Sequence, residues 1–249
     1  MINVHFRWRS ARRPQVELDR SRALPGEPGP TLLDVGRWRA ALPEEVWPRQ
    51  FPSDGQLWRR DVFAVAYRWR DGHAGARELL AATLMWTYGD APHGRRRALR
   101  TLSDDPTGER VETALDVLRN ERLTITDLRT AYLNFRTSCR LREFDGDMAT
   151  RLLYFAGYRR GGPGVQPLIL SDEIAAQLPE ASGVSNPENR GSSLEWLRYV
   201  SWAAAQAGDH IEPELVEMDL IGGGLRFGRT LQEVRIPRQR DRAASVSGR

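Results

Sequence analysis

The chain has 249 residues, 40% of them hydrophobic and 28% charged, with a formal net charge of +4. That length buries a sizeable core in one large domain or two small ones, whereas the longest apolar runs, 79–85 and 152–156, fall far short of the roughly 20 residues a spanning helix needs, which excludes a helical membrane protein. One cysteine, Cys139, excludes a disulfide scaffold and a cysteine-rich zinc site, and the scattered His5, His73, His93 and His210 form no ligand pair at helical spacing, so neither a metal nor a cofactor is expected.

The 37 basic residues are all arginine; the chain contains no lysine. Codon bias in a GC-rich genome explains such a composition without a functional cause. The chemical consequence is the same either way. No side-chain amine is available to form a Schiff base, and there is no phosphate-cradling lysine of the P-loop kind. The start Met1-Ile2-Asn3-Val4-His5-Phe6-Arg7 lacks an apolar core followed by a small-residue cleavage site, so a cytoplasmic location is expected. Arginines cluster at 7–13, at Arg59-Arg60, at Arg95-Arg96-Arg97 with Arg100, at Arg136, Arg140 and Arg142, at Arg159-Arg160 and after Val234, while acidic residues gather at 103–116 and 209–219. This clustering fits a basic face for phosphates, and equally a solvated surface paired with carboxylates.

Residues 1–42 read as an arginine- and proline-rich N-terminal extension, with a loop at Pro25, Gly26, Pro28, Gly29 and Pro30 and a short helix between 32 and 42. Residues 43–221 read as the folded body, and 222–249 as a basic disordered tail opened by Gly222-Gly223-Gly224. From 61 the apolar residues take helical spacing: Val62, Phe63, Ala66, Tyr67 and Trp69 share a broad face, followed by Leu79, Leu80, Thr83, Leu84 and Thr87. Gly89, Asp90, Pro92 and Gly94 predict a break. Val111, Ala114, Leu115 and Leu118, then Leu128, Ala131, Tyr132 and Phe135, recur at i, i+3, i+4 and i+7, with Thr126 or Asp127 capping the second helix. A polar turn over 137–147 leads to a helix over 147–157, a glycine-arginine loop over 157–164, the extended Pro167-Leu168-Ile169-Leu170, and a helix through Leu178 capped by Ser171 or Asp172. Trp196, Tyr199, Val200, Ala203, Ala204 and Ala207 mark a long helix, and 214–220 a last one. No strand alternation is sustained, so an all-α fold of seven to nine helices is expected.

The informative unit is the helix over 126–136, the polar turn, the helix over 147–157 and the stretch from Pro167 to Ala175. The second helix start presents N–H groups to a phosphate. A carboxylate at the next helix start would face the same space, an arrangement suited to drawing a base out of a duplex and attacking its glycosidic bond. On these residues the chain resembles the bacterial proteins with the 8-oxoguanine DNA glycosylase fold, within the helix-hairpin-helix DNA glycosylase superfamily. The resemblance runs over roughly 43–221 and is carried by Arg60-Asp61-Val62-Phe63, by Leu84-Met85-Trp86-Thr87-Tyr88-Gly89, and most strongly by Met148-Ala149-Thr150-Arg151-Leu152-Leu153-Tyr154-Phe155-Ala156-Gly157 and Pro167-Leu168-Ile169-Leu170-Ser171. Trp202-Ala203 and the acidic 211–220 fit the family's closing helices. It implies a glycosylase-like helical domain that binds DNA, flips an oxidised purine and cleaves its glycosidic bond. Trp86 and Phe144 would line the base pocket, and Arg140, Arg142, Arg151, Arg159 and Arg160 would contact the DNA.

This chain departs from the family at the positions that carry the chemistry. The hairpin pattern Gly-hydrophobic-Gly-x-x-x-Ala falls on Glu143, Phe144, Asp145 and Ala149, so two glycines are carboxylates. The superfamily's nucleophilic lysine falls on Asp147. Close relatives show a lysine where this chain has Arg151, and the family's aspartate falls on Ser171, with Asp172 next. Asp147 and Arg151 are four apart and share one helical face. Arginine stays protonated and cannot attack a sugar carbon, so a side-chain lyase step is excluded and only the amine of Met1 could replace it. A carboxylate alone, from Asp172 or Asp147, suffices to stabilise an oxocarbenium-like sugar and activate water. Glu143 and Asp145 would repel DNA unless Arg140 and Arg142 neutralise them.

The reading is therefore a glycosylase-like protein that recognises DNA or a modified base with weakened or lost catalysis. The alternatives are a monofunctional N-glycosylase using Asp172 or Asp147, and an accessory subunit with a protein partner, because relatives of this group occur beside bacterial antiphage signalling genes. Asp172 also reads as a plain helix cap, Trp86 as core, Cys139 as a bystander thiol, and His93 with Arg95, Arg96 and Arg97 as either a DNA contact or a solvated loop.

Overall fold

In a computed structural model, residues 18–184, 192–209 and 211–222 are described; the expected tail beyond 222, His210 and the first 17 residues lie outside them. Among the described residues the chain forms ten α-helices: α1 Val35–Ala41, α2 Arg59–Arg70, α3 Ala76–Tyr88, α4 Pro92–Asp104, α5 Glu109–Leu115, α6 Ile125–Arg136, α7 Gly146–Gly157, α8 Asp172–Gln177, α9 Ser193–Ala207 and α10 Pro213–Ile221. The only paired strands among them are β1 Thr31–Leu32 and β2 Gln56–Leu57, antiparallel with Thr31 opposite Leu57. The expected all-α class is the observed one. No described helix is long and apolar enough to cross a membrane.

The central element is α7. Leu152, Leu153, Tyr154, Phe155 and Ala156 are fully buried because α2, α3 and α6 pack around them. Such all-round apolar character marks a core helix rather than an amphipathic surface one. The apolar stripes expected on α3, α5 and α6 face this centre, with Leu79, Leu80, Val111, Ala114, Leu128 and Ala131 all buried.

Three local expectations differ from the structure. First, packing does not stop at residue 42. Trp38 is fully buried and its Nε1–H donates to the Gly89 carbonyl at 2.9 Å, while the Thr31 hydroxyl donates to the Trp86 carbonyl at 2.8 Å. The segment 31–38 therefore clamps the end of α3. Second, Pro92 and Gly94 open α4 rather than break the chain. Pro92 takes the first helical position, where its missing N–H is no loss. A Cβ on Gly94 would lie 2.5 Å from the Tyr88 side chain, so glycine there allows α4 to close onto α3. Third, α6 is capped by Thr124, not Thr126. The Thr124 hydroxyl accepts from the Asp127 N–H at 3.1 Å, and Asp127 accepts from the Thr124 N–H at 2.8 Å, a capping box.

One buried ion pair joins the distant ends of the fold. Arg59, the first residue of α2, donates to Glu217 of α10 at 2.6 Å and to the Tyr154 hydroxyl at 2.9 Å. Their side chains are 3% and 0% exposed. Glu217 also accepts from the Ile169 N–H at 2.7 Å, and Glu27 accepts from the Arg59 N–H at 2.9 Å and the Leu24 N–H at 2.9 Å. The guanidinium lies over the rings of Trp86 and Tyr154, 5.3 and 5.2 Å from their centroids. Burial pushes the Glu217 carboxyl above the usual carboxylate range, against the pull of Arg59. Glu217→Ala strands a buried cation and is expected to destabilise the fold by about 3–5 kcal/mol, read as a lower urea midpoint with an unchanged slope.

Candidate functional site

The turn between α6 and α7 keeps the hairpin geometry without its glycines. Glu143 has φ +56°, one of two non-glycine residues in the left-handed region among those described, which is the conformation glycine supplies most readily. Asp145 has extended backbone and caps α7 by accepting from the Met148 N–H at 3.0 Å. Phe144 between them points inward, 6% exposed and packed 5.0 Å from the Phe135 ring centroid. It is part of the core and offers no free face to a base, contrary to the base-pocket expectation.

The charge expected to repel DNA is neutralised from a different helix. Arg100 contacts Glu143 at 2.7 Å, and Arg97 reaches Glu143 at 3.2 Å and Asp145 at 3.6 Å, all from α4. These pairs hold Glu143 below the usual carboxylate range, the Arg100 hydrogen bond contributing most. Arg140 and Arg142, expected in that role, have exposed side chains. Their backbones make the contacts instead: the Arg142 N–H donates to Asp104 at 2.9 Å, and the Arg140 carbonyl accepts from Arg110 at 2.8 Å.

The first turns of α7 bring the expected residues together. Asp147 and Arg151 form a bidentate pair, Nε to Oδ1 at 2.9 Å and Nη2 to Oδ2 at 3.1 Å. Arg151 also lies 5.8 Å from the Trp86 ring centroid, and the Phe155 and Trp86 rings are nearly perpendicular with centroids 5.1 Å apart. Trp86 is partly buried between these groups and the buried Arg59. Burial pushes the Asp147 carboxyl up; Arg151 pulls it down; the charges of Asp145 and Asp172 push it further up. Asp172 is thus within electrostatic reach of Asp147. The link is structural as well. The Thr150 hydroxyl donates to the Asp147 carbonyl at 2.9 Å and accepts from the Leu170 N–H at 3.1 Å, tying the segment before α8 to α7.

Ser171 caps α8, its hydroxyl accepting from the Ile174 N–H at 3.2 Å, which leaves the exposed Asp172 as the first helical residue. Tyr88 belongs to this region and was not singled out as a site residue in the sequence, although it stands two residues after Trp86. Its hydroxyl is buried with no hydrogen-bond partner among the described residues, and Arg97 lies over its ring at 5.6 Å. Burial raises its phenol, with opposing contributions from Arg97 and Arg151 on one side and Asp145 and Glu143 on the other.

Arg159 and Arg160 are elsewhere, beyond the C-terminal end of α7. Arg159 donates to the carbonyls of Asn120, Leu118 and Arg119 at 2.5, 3.1 and 3.2 Å, and Arg160 donates to both oxygens of the buried Glu214 at 2.6 Å. Neither reaches the hairpin. Cys139 is buried, and His93 pairs with Arg96 at 3.0 Å on the exposed side of α4. No cluster of metal-ligating side chains occurs among the described residues. A cavity of about 1450 Å³ lies between 39–51 and 72–78 and is lined by none of the expected site residues.

The hairpin, the paired residues on α7 and the start of α8 capped by Ser171 are thus linked through Thr150 and Leu170. Residues 29–220 match the OGG family model, described as "Putative 8-oxoguanine DNA glycosylase OGG-like protein". The chain belongs to this OGG-like family. No curated protein and no solved structure matches it. The match begins at 29, ahead of the boundary expected at 43, and takes in the 31–38 clamp that holds the end of α3 in this OGG-like fold.

The hairpin conformation gives a direct test. Glu143→Ala and Glu143→Gly both lose the arginine contacts, but only glycine tolerates φ +56° without strain. The glycine variant is expected to melt about 2–4 °C higher than the alanine variant, measured by circular dichroism.

Proposed function

We propose that this OGG-like protein recognises a damaged purine in DNA at the N-terminal end of α7, without amine chemistry. The observation that carries the reading is the bidentate Asp147–Arg151 pair at the position of the family's nucleophile, with the guanidinium over Trp86. The pair offers forked N–H donors beside a carboxylate acceptor. That set suits an oxidised guanine, whose O6 accepts from arginine while its ring N–H and amino groups donate to a carboxylate. Neutralisation of Glu143 and Asp145 by Arg97 and Arg100 supports approach of a phosphate backbone to the turn, and the exposed Arg140 and Arg142 supply phosphate contacts beside it.

An incoming base has to share the indole with Arg151, so recognition entails a shift of that side chain. Cleavage through a covalent sugar adduct does not follow, because the position that would attack holds an acceptor carboxylate tied to a guanidinium, and the chain has no lysine. Wild-type protein is expected to bind an 8-oxoguanine duplex with an affinity that falls steeply with salt and to give no borohydride-trapped adduct on an abasic duplex. Asp147→Lys restores an amine at that position and is expected to give the adduct. A trapped adduct at an internal residue of the wild-type chain, or no duplex binding at about 150 mM salt, overturns the reading.

A second reading, a monofunctional glycosylase, is favoured by the raised pKa of Asp147 beside Asp172. A carboxyl that holds its proton to higher pH next to a second carboxylate is the arrangement used to split a glycosidic bond with acid and base roles divided. It predicts alkali-labile sites after incubation with 8-oxoguanine duplexes and their loss in Asp172→Asn. With Asp147 giving its proton to the leaving base and Asp172 activating water, the rate falls as pH rises through a value above the ordinary 3.8, because the raised carboxyl then loses the proton it has to give.

A further inference from the structure

A second polar site lies at the other end of α7, separated from Asp147 by the length of that helix, roughly 15 Å along its axis. A cavity of about 650 Å³ opens there between α2 and the loop after α7, lined by Phe63, Tyr67 and Arg70 on α2 and by Arg159 and Arg160 on the loop. Its volume falls within the range of small-ligand sites.

The cationic groups in it are unequal. Arg160 is already matched by the buried Glu214, and Arg119, also on the wall, is matched by Glu112 at 2.5 Å. Arg70 contacts no carboxylate among the described residues; its one hydrogen bond goes to the Ala156 carbonyl at 2.9 Å, which leaves most of its N–H donors without a protein acceptor. Arg159 likewise bonds only to carbonyls. Burial, and then the charge of Arg159, pull the Arg70 pKa down to about 10, and burial lowers Arg159 as well. The acidic groups near them, Asp71 and Glu121, are exposed on the rim. Two part-buried guanidinium groups without a contacting carboxylate are stabilised by an anion placed between them, and a forked donor pair fits the oxygens of a phosphate.

The aromatic residues narrow the ligand further. Tyr67 is 62% exposed, the largest value among the exposed large hydrophobic side chains. Phe63 lies below it in the same wall with Arg160 stacked 5.1 Å from its centroid. An exposed ring beside a phosphate-sized cationic site is a platform for a base.

We propose that this cavity binds a nucleoside 5′-monophosphate, with the phosphate held by Arg70 and Arg159 and the base stacked on Tyr67. The same chemistry is available from a free nucleotide or from the phosphorylated end of a DNA strand. The site is distinct from the one proposed to read a damaged base and stands without it.

The test is calorimetric titration of the full chain with adenosine 5′-monophosphate, adenosine and inorganic phosphate. The nucleotide is expected to bind saturably and the other two more weakly. Arg70→Gln is expected to weaken the nucleotide and inorganic phosphate together, by about tenfold or more. Tyr67→Ala, at an exposed position that leaves the fold intact, is expected to weaken the nucleotide by about tenfold and leave inorganic phosphate unchanged. Displacement of the nucleotide by a 5′-phosphorylated duplex but not by the same duplex lacking that phosphate identifies a strand end as the source; failure of both to displace it identifies a free nucleotide. The proposal is overturned if the nucleotide does not bind at millimolar concentration, if both folded variants bind it like wild type, or if a duplex without terminal phosphate displaces it, which would place it in the damaged-base site.

Discussion

The pairing of Arg59 with Glu217 sets the geometry on which the rest of the molecule depends. Removing two charges from water is unfavourable by several kcal/mol for each ion, in general terms, and their attraction alone does not offset it without further hydrogen bonds. Here those bonds come from every layer of the fold: Tyr154 on α7, the Ile169 N–H on the extended segment, and Glu27 on the N-terminal segment, which accepts from the Arg59 backbone N–H. A buried network with this many members favours one arrangement of them. Ile169 is two residues from Ser171, and Trp86 lies against the Arg59 guanidinium. The buried pair therefore fixes both where α8 begins and where the indole stands relative to α7.

Helix periodicity made α2, α3, α5, α6, α7 and α9 legible, because each buries a stripe whose spacing is set by 3.6 residues per turn. Ser171 was legible as a cap because a serine before a helical run has few better uses for its hydroxyl. What the sequence hid were features decided by a distant partner. Pro92 and Gly94 carry the local signature of a break, and only the Tyr88 side chain, close to where a Cβ on Gly94 would lie, shows why glycine sits inside a helix. The segment around Trp38 looked like an extension because the loop ahead of it is rich in proline and glycine, whereas its place in the core rests on hydrogen bonds to carbonyls more than fifty residues away.

The same division runs through the site. Asp147 and Arg151 were readable as a pair, since four residues on a helix bring side chains together regardless of context. The partners of Glu143 and Asp145 were not. Arg140 and Arg142 are nearer in the chain, but the turn exposes their side chains and presents the two carboxylates to α4, where Arg97 and Arg100 stand one helical turn apart. Arg159 and Arg160 follow the same rule in reverse. Adjacent arginines in a glycine loop suggest contacts to the DNA held at the hairpin, yet they stand at the other end of α7, where one closes the carbonyl end of the 116–119 turn and the other meets a carboxylate on α10.

The absence of lysine acquires its meaning from this geometry. A guanidinium cannot replace an amine as a nucleophile, because it holds its proton throughout the pH range of proteins, but it does replace one as a charge. At the start of α7 Arg151 faces the carboxylate of Asp147, and each satisfies the other. A site whose donor and acceptor are already matched has no unpaired group driving attack on a sugar. On the proposed reading it still presents both halves of a hydrogen-bonding pattern to a base, with the indole beside Arg151 as an apolar face. Recognition can therefore persist where covalent capture has lost its reagent, and on the second reading cleavage runs through the carboxylates of Asp147 and Asp172, with burial above all holding the proton on Asp147 to higher pH.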